Sequence, residues 1–190
     1  MESQYYRTFI AAPLRVEGQF LQARQELITM LKGERISWTN PDQFHVTLRF
    51  IGDTEVVDIK KIGFALQAGI HIPERIRLNI TELASFGPKK RPRVIWVGFE
   101  ETDFFELLKR EVDAVLEKCG IPGIEQPFRA HLTLGRVRSL KNLPEYYLTM
   151  EEMKHQFHGS VLFEKLVFFR SILGPRGPEY QALNELRFRQ

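Results

Sequence analysis

The chain has 190 residues, of which 43% are hydrophobic and 27% charged, which excludes a disordered protein and fits one large globular domain or two small, intimate lobes. Its single cysteine, Cys119, excludes an intrachain disulfide framework and suits a reducing compartment. A net charge of +3 names no partner; the first residues do not read as a secretory signal, and the most apolar late stretch, Val161 to Leu173, is broken by Glu164, Lys165 and Arg170. A soluble, cytoplasmic protein is expected.

In chain order, Arg7 to Ala12 reads as a strand ended by Pro13. Gln19 to Lys32 reads as a helix, with Phe20, Leu21, Leu27, Ile28 and Leu31 on one side and Gly33 as its stop. Trp38 to Asp42 is a turn region carrying Asn40-Pro41. A strand through His45 follows, closed by Gly52-Asp53, then a helix over Val56 to Ile70 and a strand over Arg75 to Phe86. Arg93 to Gly98 is again a strand. Asp103 to Cys119 is an amphipathic helix with Phe104, Leu108, Val112, Val115 and Cys119 on one stripe, Thr102 as its N-cap and Gly120 just past its end. Pro122 to Pro127 is a loop before a strand through His131.

The order strand, helix, loop, strand occurs twice in one register. Arg93 follows Arg7 by 86 residues, His131 follows His45 by 86, and Gly174-Pro175 follows Gly87-Pro88 by 87. A single duplication of this size predicts an α+β fold of two pseudo-symmetric lobes. Each would be a small antiparallel sheet backed by helices, with the site in the groove between them. No Gly/Ser-rich or low-complexity linker separates the halves, so residues 1–190 read as one bilobal unit.

The same four-residue signature stands in both halves: His45-Val46-Thr47-Leu48 and His131-Leu132-Thr133-Leu134. Strand alternation places Phe44, Val46, Leu48 and Phe50 on one face and His45, Thr47 and Arg49 on the other. In the second copy it sets Ala130, Leu132 and Leu134 against His131 and Thr133. One strand histidine is ordinarily structural. Two with the same phase, the same threonine and the same following leucine offer a ligand two imidazoles and two hydroxyls, a tool set for acid–base chemistry on a phosphate.

These residues resemble a known family. Paired His-x-Thr motifs mark the 2H phosphoesterase superfamily, and within it the chain resembles the RNA 2′,3′-cyclic phosphodiesterases of bacteria and archaea, formerly termed 2′-5′ RNA ligases. The resemblance runs through Arg7 to Ala11, Trp38 to Gly52, Arg91 to Gly98, His131 to Arg136, Gly174-Pro175 and Gly177 to Tyr180. Ala130 departs from it, since many relatives carry proline there; alanine holds an extended backbone equally well.

The resemblance implies metal-independent hydrolysis of RNA 2′,3′-cyclic phosphate ends to 2′-phosphomonoesters. It makes His45 the proton donor to the 3′ oxygen and His131 the proton acceptor from water, with Thr47 and Thr133 on the phosphate oxygens. The residues alone do not assign the two histidine roles. No cofactor is expected, and the substrates would be RNA ends or small nucleotide cyclic phosphates, acted on by a monomer. Alternatives are reversible 2′-5′ ligation, and a non-catalytic RNA-binding module using the same groove.

Further candidate substrate contacts are Arg136 for phosphate, Trp38 and Tyr180 for stacking on a base, and the basic run Lys89-Lys90-Arg91 for an RNA backbone. Each has a plainer reading: a strand-end charge, buried packing, and a solvated hairpin tip. His155 and His158, three apart, would share a face of a helix, but no Cys or third His stands near them to complete a zinc site. His71 reads as a loop residue.

Overall fold

A computed structural model describes residues 4–100, 103–124, 127–175 and 177–190. Thr102, the expected N-cap, and residues 125–126 of the expected loop lie outside them. Among the described residues there are nine strands and four α-helices. The first repeat holds β1 (Tyr5–Pro13), α1 (Gln19–Met30), β2 (Arg35–Trp38), β3 (His45–Glu55), α2 (Val56–Gly69) and β4 (Ile76–Phe86). The second holds β5 (Val94–Phe99), α3 (Asp103–Lys118), β6 (Leu132–Ser139), α4 (Leu143–Glu152), β7 (Ser160–Phe163), β8 (Lys165–Gly174) and β9 (Gly177–Arg187).

The α+β class and the antiparallel pairing agree with expectation. The strands run β7-β4-β5-β6-β3-β1-β8-β9, with β2 paired to β6. The two halves therefore meet edge to edge within one sheet, where β3 and β6 share the single pair Val46–Leu132. A strand of each repeat pairs into the other half: β4 with β5, and β8 with β1. No single cut of the chain separates the halves.

One face of the sheet is apolar and carries the helices. Ile10, Val46, Leu132 and Leu134 pack there with Leu27 of α1, Leu66 of α2 and Phe105, Leu108 and Val112 of α3 in one buried cluster. In α3 it is Phe105 that is fully buried, while Phe104 is half-buried at the margin. Among the described residues no helix is long and apolar enough to cross a membrane.

Two β-bulges overturn part of the simple alternation. Ala11 pairs with Thr47 and Ile10 with Arg49, so Leu48 is an extra residue in β3. Trp96 pairs with Thr133 and Ile95 with Gly135, so Leu134, 86 positions later, is an extra residue in β6. Each bulge reverses the faces beyond it. Arg49, expected beside His45, is buried on the helical side, where it meets Asp113 of α3 at 3.0 Å. Phe50, expected in the core, is 54% exposed on the histidine face. The second bulge carries Arg136 onto that same face.

Candidate active site

Antiparallel partners point to the same side of a sheet. Val46 and Leu132 face the helices, so their neighbours face away from them. Carried one residue each way, this register sets His45 across from Thr133 and Thr47 across from His131. The two His-x-Thr pairs thus form a square on one open face, where the two halves of the sheet join.

The imidazoles are held alike. Nδ1 of His45 lies 2.7 Å from the Gln43 carbonyl oxygen, and Nδ1 of His131 lies 2.7 Å from the Arg129 carbonyl oxygen. A carbonyl only accepts, so each Nδ1 carries a proton and donates it, which leaves Nε2 of each ring to exchange protons with a ligand. Aromatic walls fix the ring planes. His45 stands edge-on to Tyr180 at 5.4 Å and close to Phe9 at 5.3 Å. His131 stands edge-on to Phe86 at 4.8 Å and to Trp96 at 6.1 Å. The Arg129 guanidinium covers Trp96 at 4.4 Å.

Burial holds the His45 imidazole below its ordinary value of 6.5; its hydrogen bond to Gln43 opposes this, while the charges of His131 and Arg136 add to it. His131 is lowered in the same way, first by burial, against its bond to Arg129, and then by the charges of Arg136 and Arg129. Burial raises the Tyr180 phenol, and the charges of Arg136 and Arg7 pull it back. Arg136 is exposed yet reaches all three rings electrostatically, which places a cation where an anionic ligand would lie.

The candidate residues divide. His45, Thr47, His131, Thr133, Arg136 and Tyr180 come together on this face. Trp38 does not: it lies against the core and over Gly135, where an added Cβ would sit 2.9 Å from the indole ring. The reason is the pairing of β2 with β6, which sets Trp38 opposite Gly135 and leaves Ser37 opposite Arg136. Lys89, Lys90 and Arg91 are exposed in the β4–β5 loop, beyond the Arg136 end. His155 and His158 follow the end of α4 and share no helical face, and His158 meets Gln19 at 2.9 Å. Phe9, Phe50, Phe86 and Trp96 were not legible as site residues, because each sits in a run that reads equally well as core.

The model of the LigT-like phosphoesterase family matches residues 11–96, the repeat that holds His45 and Thr47. A protein of Aeropyrum pernix named RNA 2′,3′-cyclic phosphodiesterase is 35% identical over 147 residues, spanning 77% of this chain and 82% of that one. This chain belongs to the LigT-like phosphoesterase family. A Thermotoga maritima protein of the same name is 29% identical across 96% of this phosphoesterase and 95% of its own length. The crystal structure of a Thermus thermophilus protein superposes with a TM-score of 0.75 at 23% identity, covering 96% and 97% of the two chains. That of E. coli LigT complexed with 3′-AMP gives 0.72 at 17%, covering 98% and 99%.

Two imidazoles lowered in this way carry a pH signature for any acid–base chemistry they do together. An acid–base pair needs one imidazole protonated and the other neutral, so kcat/KM should be bell-shaped. Both groups lie below 6.5 in the free protein, so the alkaline limb, where the acid loses its proton, should fall on the acidic side of that value. A bound anionic substrate favours imidazolium, so the limb in kcat should lie at higher pH than in kcat/KM. Initial rates from pH 4 to 9 test this, and an alkaline limb of kcat/KM clearly above 7 contradicts it. The two limbs belong to the coupled pair.

Proposed function

We propose that this chain hydrolyses the 2′,3′-cyclic phosphodiester at RNA ends to a 2′-phosphomonoester, with His45 protonating the departing O3′ and His131 taking a proton from the attacking water. The observation that carries the reading is the square of His45, Thr133, Thr47 and His131 on one face, with both Nε2 atoms free to act. In-line opening of a five-membered cyclic diester needs an acid and a base on opposite sides of one phosphorus, and two matched histidines on adjacent strands supply them. The Thr47 and Thr133 hydroxyls donate to the non-bridging oxygens, and Arg136 balances the charge that grows on them. Phe50 and Tyr180 offer ring surface to the base. The names of the similar Aeropyrum and Thermotoga proteins support the substrate. In this reading the 190 residues act as one unit, a cytoplasmic monomer, on RNA ends or small nucleotide cyclic phosphates.

Incubation with an oligonucleotide ending in 2′,3′-cyclic phosphate, followed by determination of the phosphate position, tests the reading. A 2′-phosphate is expected. An unchanged end that still binds would leave a binding module, and joined oligonucleotides would favour ligation. Among the described residues no three His, Cys, Asp or Glu side chains gather as a metal-ligand set. Activity is therefore expected to persist in excess EDTA, and loss on chelation with recovery on adding a divalent ion would replace this mechanism with a metal-assisted one.

A further inference from the structure

We propose that the RNA strand on the 5′ side of the cyclic phosphate leaves the histidines along the outer part of β6 and the β4–β5 loop, its phosphodiesters held by Arg138 and by Lys89, Lys90 and Arg91. This rests on the hydrolase reading and adds a direction of binding and a substrate class, oligonucleotide ends in preference to mononucleotides.

The first support is position. Arg136 pairs with Ser37 of β2, so the two share the histidine face. Arg138 Nε donates to the Ser37 hydroxyl at 3.0 Å, which brings a second guanidinium along the same line. The loop begins where Arg136 ends: Val94 is its partner in β5, and Val137 N–H donates to the Arg93 carbonyl at 2.9 Å. The loop is also held in shape. Tyr147 Oη donates to the Lys89 carbonyl at 2.9 Å, and Arg91 N–H donates to the Pro88 carbonyl at 2.7 Å. Gly87 turns it at φ 112°, where a side chain would be strained and its Cβ would lie 2.9 Å from the Arg91 carbonyl oxygen.

The second support is charge. Among the described residues most basic side chains face no carboxylate, and Arg136, Arg138, Lys89, Lys90 and Arg91 are among them; these five are set apart by lying together at one end of the histidine face. Unneutralised cations adjoining a phosphate site are what a nucleic-acid backbone requires, since binding then releases counterions.

The third support is the ribose itself. The base hangs from C1′, beside O2′, and the chain continues through C4′ and C5′, beside O3′, so base and strand depart on opposite sides of the cyclic phosphate. The two repeats present opposite ends to match. Arg136 lies past Thr133, which faces His45, and its repeat equivalent Phe50 lies past Thr47, which faces His131. A strand leaving past Arg136 sets O3′ beside His45 and the base toward Phe50. His45 is then the imidazole next to the oxygen it must protonate.

The test compares kcat/KM for a nucleoside 2′,3′-cyclic phosphate with that for di-, tri- and tetranucleotides bearing the same end. The proteins are wild type, K89A/K90A/R91A, R138Q and, as a control for charge alone, K60A/K61A on exposed positions of α2. Wild type is expected to gain about tenfold from the first added phosphodiesters, with rates that fall as salt rises. The triple variant should lose that gain, with a salt slope shallower by about 0.7 per lost contact, and R138Q should lose part of it. Turnover of the mononucleotide should not change in any of them. No gain in wild type, an equal loss on the mononucleotide, or the same loss in K60A/K61A would overturn the proposal. Fluorescence anisotropy of a labelled oligonucleotide ending in a 2′-phosphate reads the strand contacts without turnover. A wild-type protein that cleaves none of the substrates refutes the hydrolase reading, whereas a triple variant that binds this probe as tightly as wild type refutes the strand path.

Discussion

His45→Ala and His131→Ala are each expected to lower the rate of cyclic phosphate opening by about 10² to 10⁴, the contribution of one positioned acid or base. The expectation follows from symmetry of construction. Each ring is fixed by the same Nδ1–H bond to the carbonyl two residues earlier, and each presents only Nε2 to the open face. Either loss leaves one proton transfer to water, so the double variant should be little worse than the poorer single, as groups that act as a unit are not additive. The comparison is made on a nucleoside 2′,3′-cyclic phosphate, with far-UV circular dichroism and the thermal midpoint showing that the sheet is intact. A folded single variant that keeps a near wild-type rate removes that histidine from the chemistry. The leaving-group assignment has its own readout. A substrate whose 3′ oxygen is replaced by sulfur needs little help from an acid, so it should restore His45→Ala far more than His131→Ala.

Arg49→Met is expected to cost about 2 to 4 kcal/mol of folding stability, near the lower part of the range for stripping one partner from a buried ion pair. Arg49 is 4% exposed and lies behind the active face, one residue past the β3 bulge. Its guanidinium meets Asp113 of α3 at 3.0 Å and donates to the Pro122 carbonyl. The substitution leaves a carboxylate and a carbonyl facing methionine. The cost falls short of the full range because the Asp113 side chain is 20% exposed and also binds Lys109 one turn away. Replacing both members, Arg49→Met with Asp113→Leu, should recover most of the loss, since two apolar groups strand no charge. Urea unfolding of wild type, the two single variants and the double variant measures this. An Arg49→Met protein as stable as wild type would show that the pair does not join β3 to α3.

What could be read from the sequence was local or repeated. The shared face of His45 with Thr47, and of His131 with Thr133, follows from strand alternation over three residues. The α+β class and the doubled order follow from an 86-residue register that needs no partner to be seen. Helices α1 and α3 follow from their apolar stripes and the glycines past their ends. That the two motifs serve one site follows from the duplication, but that they meet on neighbouring strands of one sheet was not legible, because it rests on the one pair Val46–Leu132 between strands 86 residues apart. Nor were the faces of Arg49, Phe50 and Arg136. A bulge is a mismatch in count between two strands, and neither strand alone contains it. The same holds for Trp38, for which base stacking and buried packing both stay open until β2 is laid along β6 and its indole covers Gly135. The sequence by itself determined which groups could do chemistry on a phosphate. Only the pairing of distant strands decided which of them stand together, because a side chain's face depends on its neighbour's register as much as on its own.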